Sequence, residues 1–365
     1  MKITIIAGAR PNFIKIAPLI HAIQSVQARG SNIAYRLVHT GQHYDAKMSD
    51  SFFTDLNIPL PQINLECGGG TQAEQTAAIM VAFEKELLTN PADMVVVVGD
   101  VTSTMACSIV AKKLLTKVAH IEAGIRSYDY TMPEEINRIV TDSITDYFFT
   151  TTEWAGNNLR KAGVNNDQIF FAGNIMIDTL MANKSRFIKP LIWTELQLLA
   201  KQFIVMTLHR PSNVDEPAKL KLLMETILNN VEDIAVIFPV HPRTAKIFTA
   251  LGIKSKNLCI VEPMGYLEFN FLVNNSKAVI TDSGGITEEA TVFGVPCLTL
   301  RDSTERPETC EIGTNELVGT DPEIIKLYLK KLFDGKWKKG EIPYLWDGKT
   351  AERIVNNILL LDINK

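Results

Sequence analysis

MVVVVGD, residues 94–100, decides the fold. Five apolar residues, four of them valine, run without alternation and stop at a glycine and an acid. A strand with one wet face alternates apolar and polar residues. An unbroken β-branched run belongs to a strand covered on both faces, as in parallel sheets. Similar runs lie on either side, most of them leading into a segment of helical period. They are ITIIA (3–7) before Asn12–Gln27, IAYRLVHTG (33–41), VAHIEAG (118–124) before a helix from Pro133, YFFTTT (147–152) before a helix to Lys161, and IFFAG (169–173). Residues 71–88 and 103–115 read as helices flanking the 94–100 strand. Strands alternating with helices through short connections predict an α/β fold with a parallel sheet.

The second half repeats the logic. FIVMTLHR (203–210), AVIFPVHPR (235–243), LCIVEPM (258–264), KAVITDSGG (277–285) and CLTLRD (297–302) read as strands. Helical patterns at 215–230, 244–251, 266–275, 286–293 and 322–333 separate them. The expectation is two doubly wound parallel-sheet domains, residues 1–175 and 176–345, facing each other across a cleft. A last helix within 346–365 is expected to fold back on the first domain. Ligands of such sheets sit outside the carboxyl ends of the strands, so the polar strand tips are the candidate site.

Composition narrows the partners. The 365 residues carry a formal charge of −4, which supports neither nucleic-acid binding nor a polybasic membrane patch. No apolar run approaches the length of a membrane span. Cys67, Cys107, Cys259, Cys297 and Cys310 form no CxxC pair and read as free thiols, which points to a reduced, cytoplasmic protein.

Several tips carry chemistry. In TDSGGITEEA (281–290), Ser283, Gly284 and Gly285 turn a strand into a helix. Glycines let backbone N–H groups approach an anion, and the helix start adds positive field. An ordinary capped turn completed by Glu288 reads the same residues. Glu289, one helical turn on, is suited to ribose hydroxyls, as acids are in dinucleotide folds. GARPNFIK (8–15) sets Arg10 at a strand tip and Lys15 one turn into a helix. Two cations there oppose the helix dipole, which favours an anionic ligand.

TLHRPSN (207–213) puts His209 at a tip, and His241, Arg243 and Glu262 occupy others. HIEAGIRSYDYTMPEEINR (120–138) ends a strand at Glu122 and opens a helix with Glu134 and Glu135, followed by Arg138. Asp100, Glu122 and Glu134 on one domain, with His209 on the other, make an acid/base set. No HExxH or short Asp/His cluster occurs, so no metal is expected. RDSTERPETCEIGTNELVG (301–319) reads as a long polar loop in which Arg301 and Arg306 either clamp phosphate or stay solvated.

Taken together, GARPNFIKIAPL, TGQH, VGDVTST, HIEAGIRS, MPEEINR, GNIMIDTL, TLHRPSN, PVHPRT, TDSGGITEEA and TERPET resemble the non-hydrolysing UDP-N-acetylglucosamine 2-epimerase family, in family order along nearly the whole chain. The resemblance implies two Rossmann-like domains of the GT-B type, a UDP-sugar substrate, a homodimer, and no metal or nicotinamide. It implies inversion at C2 of the sugar by elimination of UDP and readdition, a step in cell-surface polysaccharide biosynthesis. Asp100, Glu122, Glu134 and His209 then become the catalytic candidates. Arg10, Lys15, Gln42, His43, Arg138, His241, Arg243, Glu262, Ser283, Gly284, Gly285, Glu289 and Arg306 become the nucleotide and substrate candidates. The alternatives are a 2-epimerase of a related UDP-sugar, a hydrolysing epimerase, and a GT-B glycosyltransferase using the same nucleotide clamp with an acceptor.

Overall fold

The computed structural model describes residues 1–41, 53, 55–240, 248, 251–253 and 255–361. The expected positions Gln42, His43, His241 and Arg243, and most of the helix expected at 244–251, lie outside the described residues. The chain divides into two units. One comprises Met1–Ala182 with Tyr344–Lys365, and the other Asn183–Pro343.

In the first unit the order is β1 (Lys2–Ala7), α1 (Arg10–Ala28), β2 (Ala34–His39), β3 (Ile63–Asn64), α2 (Gln72–Thr89), β4 (Met94–Val98), α3 (Thr102–Lys113), β5 (Lys117–Ile121), α4 (Pro133–Ile144), β6 (Tyr147–Thr150), α5 (Glu153–Lys161), β7 (Ile169–Phe171) and α6 (Ile175–Asn183). The seven strands lie in the order β3-β2-β1-β4-β5-β6-β7, and every pairing is parallel. All five residues of β4 are buried. Val95 and Val97 face a core filled from α2 and α3 by Ile79, Phe83, Cys107 and Val110. Fully burying a valine is worth about 1.5–3 kcal/mol, so a strand apolar on both faces gains most in the middle of the stack.

The second unit adds α7 (Leu191–Glu195), β8 (Phe203–Thr207), α8 (Pro211–Val214), α9 (Pro217–Leu228), β9 (Ala235–Pro239), β10 (Leu258–Val261), α10 (Tyr266–Asn275), β11 (Ala278–Thr281), α11 (Gly284–Phe293), β12 (Cys297–Thr299), α12 (Pro307–Glu311), β13 (Asn315–Leu317) and α13 (Pro322–Phe333). Its six strands are ordered β10-β9-β8-β11-β12-β13, again all parallel. Strand β8 shows why both faces need cover. Ile204 and Met206 enter one core with Leu223 and Leu329, while Phe203 and Val205 enter another with Leu272 and Ala290. In both sheets the order reverses between the first and fourth strands, at β1/β4 and at β8/β11. Such a switch point opens a crevice at the carboxyl ends.

The last helix, α14 (Thr350–Leu360), packs on α1 in the first unit. Asp178 of α6 accepts the backbone N–H groups of Thr350 and Ala351 at 3.1 and 2.7 Å, satisfying two donors at the start of α14. Burial pushes the Asp178 carboxyl up to about 6 despite these bonds.

Two expectations need correction. The 301–319 stretch is not one polar loop, because it contains α12 and the edge strand β13. Arg301 and Arg306 are 5% and 7% exposed, so neither is a solvated charge. A three-residue strand reading Asn-Glu-Leu is too short to show an apolar period, and Pro307 starts a helix only five residues long. The strand read at 118–124 ends earlier, at Ile121. Glu122 and Ala123 both donate their N–H to the Phe149 carbonyl (3.0 and 3.1 Å), which breaks the ladder.

Candidate functional site

In the first unit the groups gather at the carboxyl ends of β1, β4 and β5. Asn12, 2% exposed, accepts the N–H groups of Gly8 and Ala9 at 3.0 Å each and donates to the Val98 carbonyl at 2.9 Å. One amide thus caps α1 and ties the exits of β1 and β4 across the switch point. Arg10 is the first residue of α1. Lys15, one turn further on, pairs with the Glu122 carboxylate, so the cation that invited an external anion already has an internal one.

Glu122 is 4% exposed and has φ of +71°, a backbone region that non-glycine residues rarely occupy. Strain of this kind costs about 1–3 kcal/mol and persists where the surroundings impose it. The surroundings are visible. His120, fully buried, contacts the Gly99 carbonyl through Nε2 (2.9 Å) and Asp142 through Nδ1 (2.7 Å). Asp142 also accepts from Gly124 N–H at 3.0 Å and pairs with Arg126 at 2.6 Å. Burial alone would raise the Asp142 carboxyl, but the His120 ring and the Arg126 guanidinium hold it below the usual carboxylate range. Gly99 (φ +70°) lies against the ion pair. A Cβ there would stand 3.0 Å from Lys15 Nζ and 3.3 Å from Glu122 Oε2.

Asp100 follows Gly99. Its carboxylate, about a third exposed, meets Arg138 Nη2 at 2.5 Å, and Asn137 Nδ2 donates to its carbonyl at 2.8 Å. Arg138 is itself held by fully buried Glu135 at 2.7 Å. Glu135 also accepts from the N–H groups of Ser127 and Tyr128, fixing the tyrosine loop before α4. Of the two glutamates opening α4, Glu135 is therefore the structural brace, and Glu134 stands exposed at the helix start.

In the second unit the analogous crevice lies at β8/β11. Asp282, fully buried, meets His209 Nδ1 at 2.7 Å. It also accepts from the N–H groups of His209 and Arg210 and from Asn213 Nδ2. Burial would raise its carboxyl, but His209 and these donors hold it below the usual range. With Nδ1 committed to a carboxylate, His209 presents Nε2 on a side chain 62% exposed. Ser283, Gly284 and Gly285 form the start of α11. Glu289 lies inward, 4% exposed, with Asn270 donating to it at 3.3 Å, and burial pushes it up to about 7. Arg306 Nε pairs with buried Glu288 at 2.8 Å. Glu262 is exposed just past β10.

The family model described as UDP-N-acetylglucosamine 2-epimerase matches residues 25–359. The chain belongs to the UDP-N-acetylglucosamine 2-epimerase family. It is 42% identical to the UDP-N-acetylglucosamine 2-epimerase of Methanocaldococcus jannaschii, over 97% of this chain and 98% of the relative. It is 41% identical to the UDP-2,3-diacetamido-2,3-dideoxy-D-glucuronate 2-epimerase of Pseudomonas aeruginosa, over 89% and 90%. The crystal structure of the M. jannaschii enzyme in complex with UDP-GlcNAc and UDP superimposes with a TM-score of 0.88 at 41% identity, covering 99% of this chain and 100% of that one. The fold is accordingly two Rossmann-like parallel-sheet domains of the GT-B type. Among the described residues no helix is long and apolar enough to cross a membrane.

The sequence reading named Asp100, Glu122 and His209, and also Lys15 and Arg138, which pair with the two acids. It gave no role to Asn12, Asp142 or Asp282, although Asn12 and Asp282 lie inside quoted motifs. Their one signal is a short polar side chain at a place where the apolar period demands burial.

Proposed function

We propose that this protein is a UDP-N-acetylhexosamine 2-epimerase, interconverting UDP-GlcNAc and UDP-ManNAc. The observation that carries the reading is the pair of carboxylates, Asp100 and Glu122, at the carboxyl ends of neighbouring β4 and β5 beside a switch point. The family membership of the chain gives that pair a reaction. The C2 hydrogen of the sugar is not acidic. As the C1–O bond breaks, its electron pair leaves with UDP and positive charge grows at C1. A base then takes the C2 proton, the C–H pair becomes the C1–C2 double bond, and a 2-acetamidoglucal results. Protonation of C2 from the opposite face and return of the UDP oxygen to C1 give the epimer. Inversion needs acid/base groups for two faces, with proton affinities tuned near neutral pH.

Asp100, Glu122 and Glu134 are assigned the proton transfers, and Lys15 orients Glu122 through their ion pair. His209, with its Nδ1 committed to Asp282, is assigned to the departing phosphate oxygen. The start of α11, with Ser283, Gly284 and Gly285, is assigned the diphosphate, and Glu289 the ribose. Arg10, Gln42, His43, Arg138, His241, Arg243, Glu262 and Arg306 complete the substrate assignment taken from the family motifs. A homodimer and a cytoplasmic location, which five free thiols suit, belong to the same reading.

A second substrate is favoured by the 41% identity to the P. aeruginosa enzyme, which differs from the first by a single percentage point. Its C2 chemistry is the same on a sugar with other substituents at C3 and C6. The deciding experiment incubates the protein in D2O with a panel of UDP-sugars, including UDP-GlcNAc and 2,3-diacetamido uronic-acid nucleotides. Deuterium at C2 of the recovered nucleotide sugar is expected. Absence of exchange with every UDP-HexNAc overturns the reading, and release of free sugar as the main product replaces it with a hydrolysing one.

A further inference from the structure

The start of α11 is not an open anion site. The Glu305 carboxylate stands against it, with Oε1 2.6 Å from the position a Cβ on Gly284 would take. The other oxygen, Oε2, pairs with Arg301 Nη2 at 2.5 Å. A carboxylate at the mouth of a ten-residue helix, in contact with a guanidinium, has the environment that a phosphoryl group would have there.

Arg301 points to a second anion. It is 5% exposed, and Nη1 lies 3.7 Å from the same Gly284 Cβ position. Among the described residues its Nε and Nη1 have no hydrogen-bond partner. A guanidinium offers five N–H donors in a planar fork, and burying several of them unmet is costly unless a further acceptor arrives. Glu305 satisfies one edge of the fork only. It lies on the irregular segment between β12 and α12, so it has somewhere to go.

We propose that Glu305 is a tethered competitor for the phosphate site. Its carboxylate occupies the start of α11 and one edge of Arg301. The incoming diphosphate displaces it and takes the whole Arg301 fork. Arg301 is then a phosphate-binding residue, and Glu305 sets the affinity and the charge a ligand must bring. A weakly charged ligand cannot outbid the resident carboxylate, whereas a diphosphate can. The inference rests on the assignment of the diphosphate to this helix start.

The test is calorimetric titration of wild type and Glu305→Gln with inorganic pyrophosphate, UDP and uridine. Because a site available only part of the time binds with proportionally weaker apparent affinity, Glu305→Gln is expected to bind pyrophosphate and UDP about three- to tenfold tighter, with uridine unchanged. Glu305→Asp, which keeps the charge but shortens the reach by one methylene, is expected to tighten both as well. It serves if the glutamine variant fails to fold. Arg301→Lys is expected to weaken both phosphate ligands at least about tenfold, since an ammonium lacks the fork. Equal or weaker pyrophosphate binding in the folded Glu305 variants overturns the proposal. If wild type binds pyrophosphate but not UDP, the nucleotide reading fails while the competitor role stands. If it binds both and neither tightens in the variants, the competitor role fails and the nucleotide reading stands.

Discussion

Lys15 and Glu122 form a buried ion pair that joins the first helix to the exit of β5, across 107 positions of sequence. Removing one member of a buried pair strands the other charge and costs about 3–5 kcal/mol. Lys15→Met should lose stability on that scale in urea unfolding. The double variant Lys15→Met with Glu122→Gln should recover most of it, because neither charge remains to be stranded. A fully additive double-mutant cycle would show the two side chains to be uncoupled.

Glu122→Gln alone should abolish deuterium incorporation at C2 while leaving calorimetric UDP binding measurable. The amide cannot take the proton, and the groups assigned to the diphosphate at the start of α11 and to the ribose lie on the other unit. Wild-type exchange in this variant would remove Glu122 from the mechanism.

Gly99→Ala tests the packing around the pair. The alanine would sit at φ +70° with its Cβ 3.0 Å from Lys15 Nζ and 3.3 Å from Glu122 Oε2. Left-handed backbone for a non-glycine residue costs about 1–2 kcal/mol, and the side chains must move by a few tenths of an ångström. Exchange should fall by about tenfold or more, as expected when reacting groups are displaced, with UDP affinity unchanged. Equal loss in both would mean general unfolding.

Acid stability should depend on Asp142. Its folded carboxyl is held below the usual value of 3.8, so its stabilisation is present above that value and is lost as pH falls through the lower folded one. The gap in melting temperature between wild type and Asp142→Asn should be wide and flat from neutral pH down to about 5 and shrink below about 4. A gap that widens on acidification would contradict the assignment.

Glu308 predicts the opposite sign. Burial raises its carboxyl from 4.5 to about 7, with Glu288 and Glu305 adding to the rise and Arg306 opposing it. The folded protein holds this proton more tightly than the unfolded chain, so stability falls as pH rises from 4.5 to about 7 and stays lowered above. Glu308→Gln should be nearly neutral below pH 4.5 and stabilising at pH 8, by at most about 3 kcal/mol. Destabilisation at pH 8 would refute it.

Much of this was legible from local pattern. The apolar runs at 94–98 and 203–207 announced strands covered on both faces, and the helices at 266–275 and 322–333 match their apolar period to the residue. Strand tips carried Asp100, Glu122 and His209. What the pattern could not give was partnership. His209 meets Asp282, 73 positions away, only because β8 and β11 are neighbours in a sheet whose order reverses there. Pairing across strands is a property of topology, and no spacing in the sequence encodes it. Glu135 was read as an ordinary acid of a helix start, yet it is fully buried and braces Arg138. The period of α4 marks its position as inward, but a glutamate there is tolerated only because Ser127, Tyr128 and Arg138 converge on it. Strand β13 stayed hidden because three residues carry no period.

The Asp178 cap on α14 has a bearing on biogenesis. The first unit is discontinuous, and its last helix is translated only after all of Asn183–Pro343 has been synthesised. The second unit is a single uninterrupted span, ready to fold as soon as it emerges. The first must wait with the α1 surface uncovered and Asp178 without the N–H groups of Thr350 and Ala351. A nascent chain therefore holds its earliest-made domain unfinished the longest.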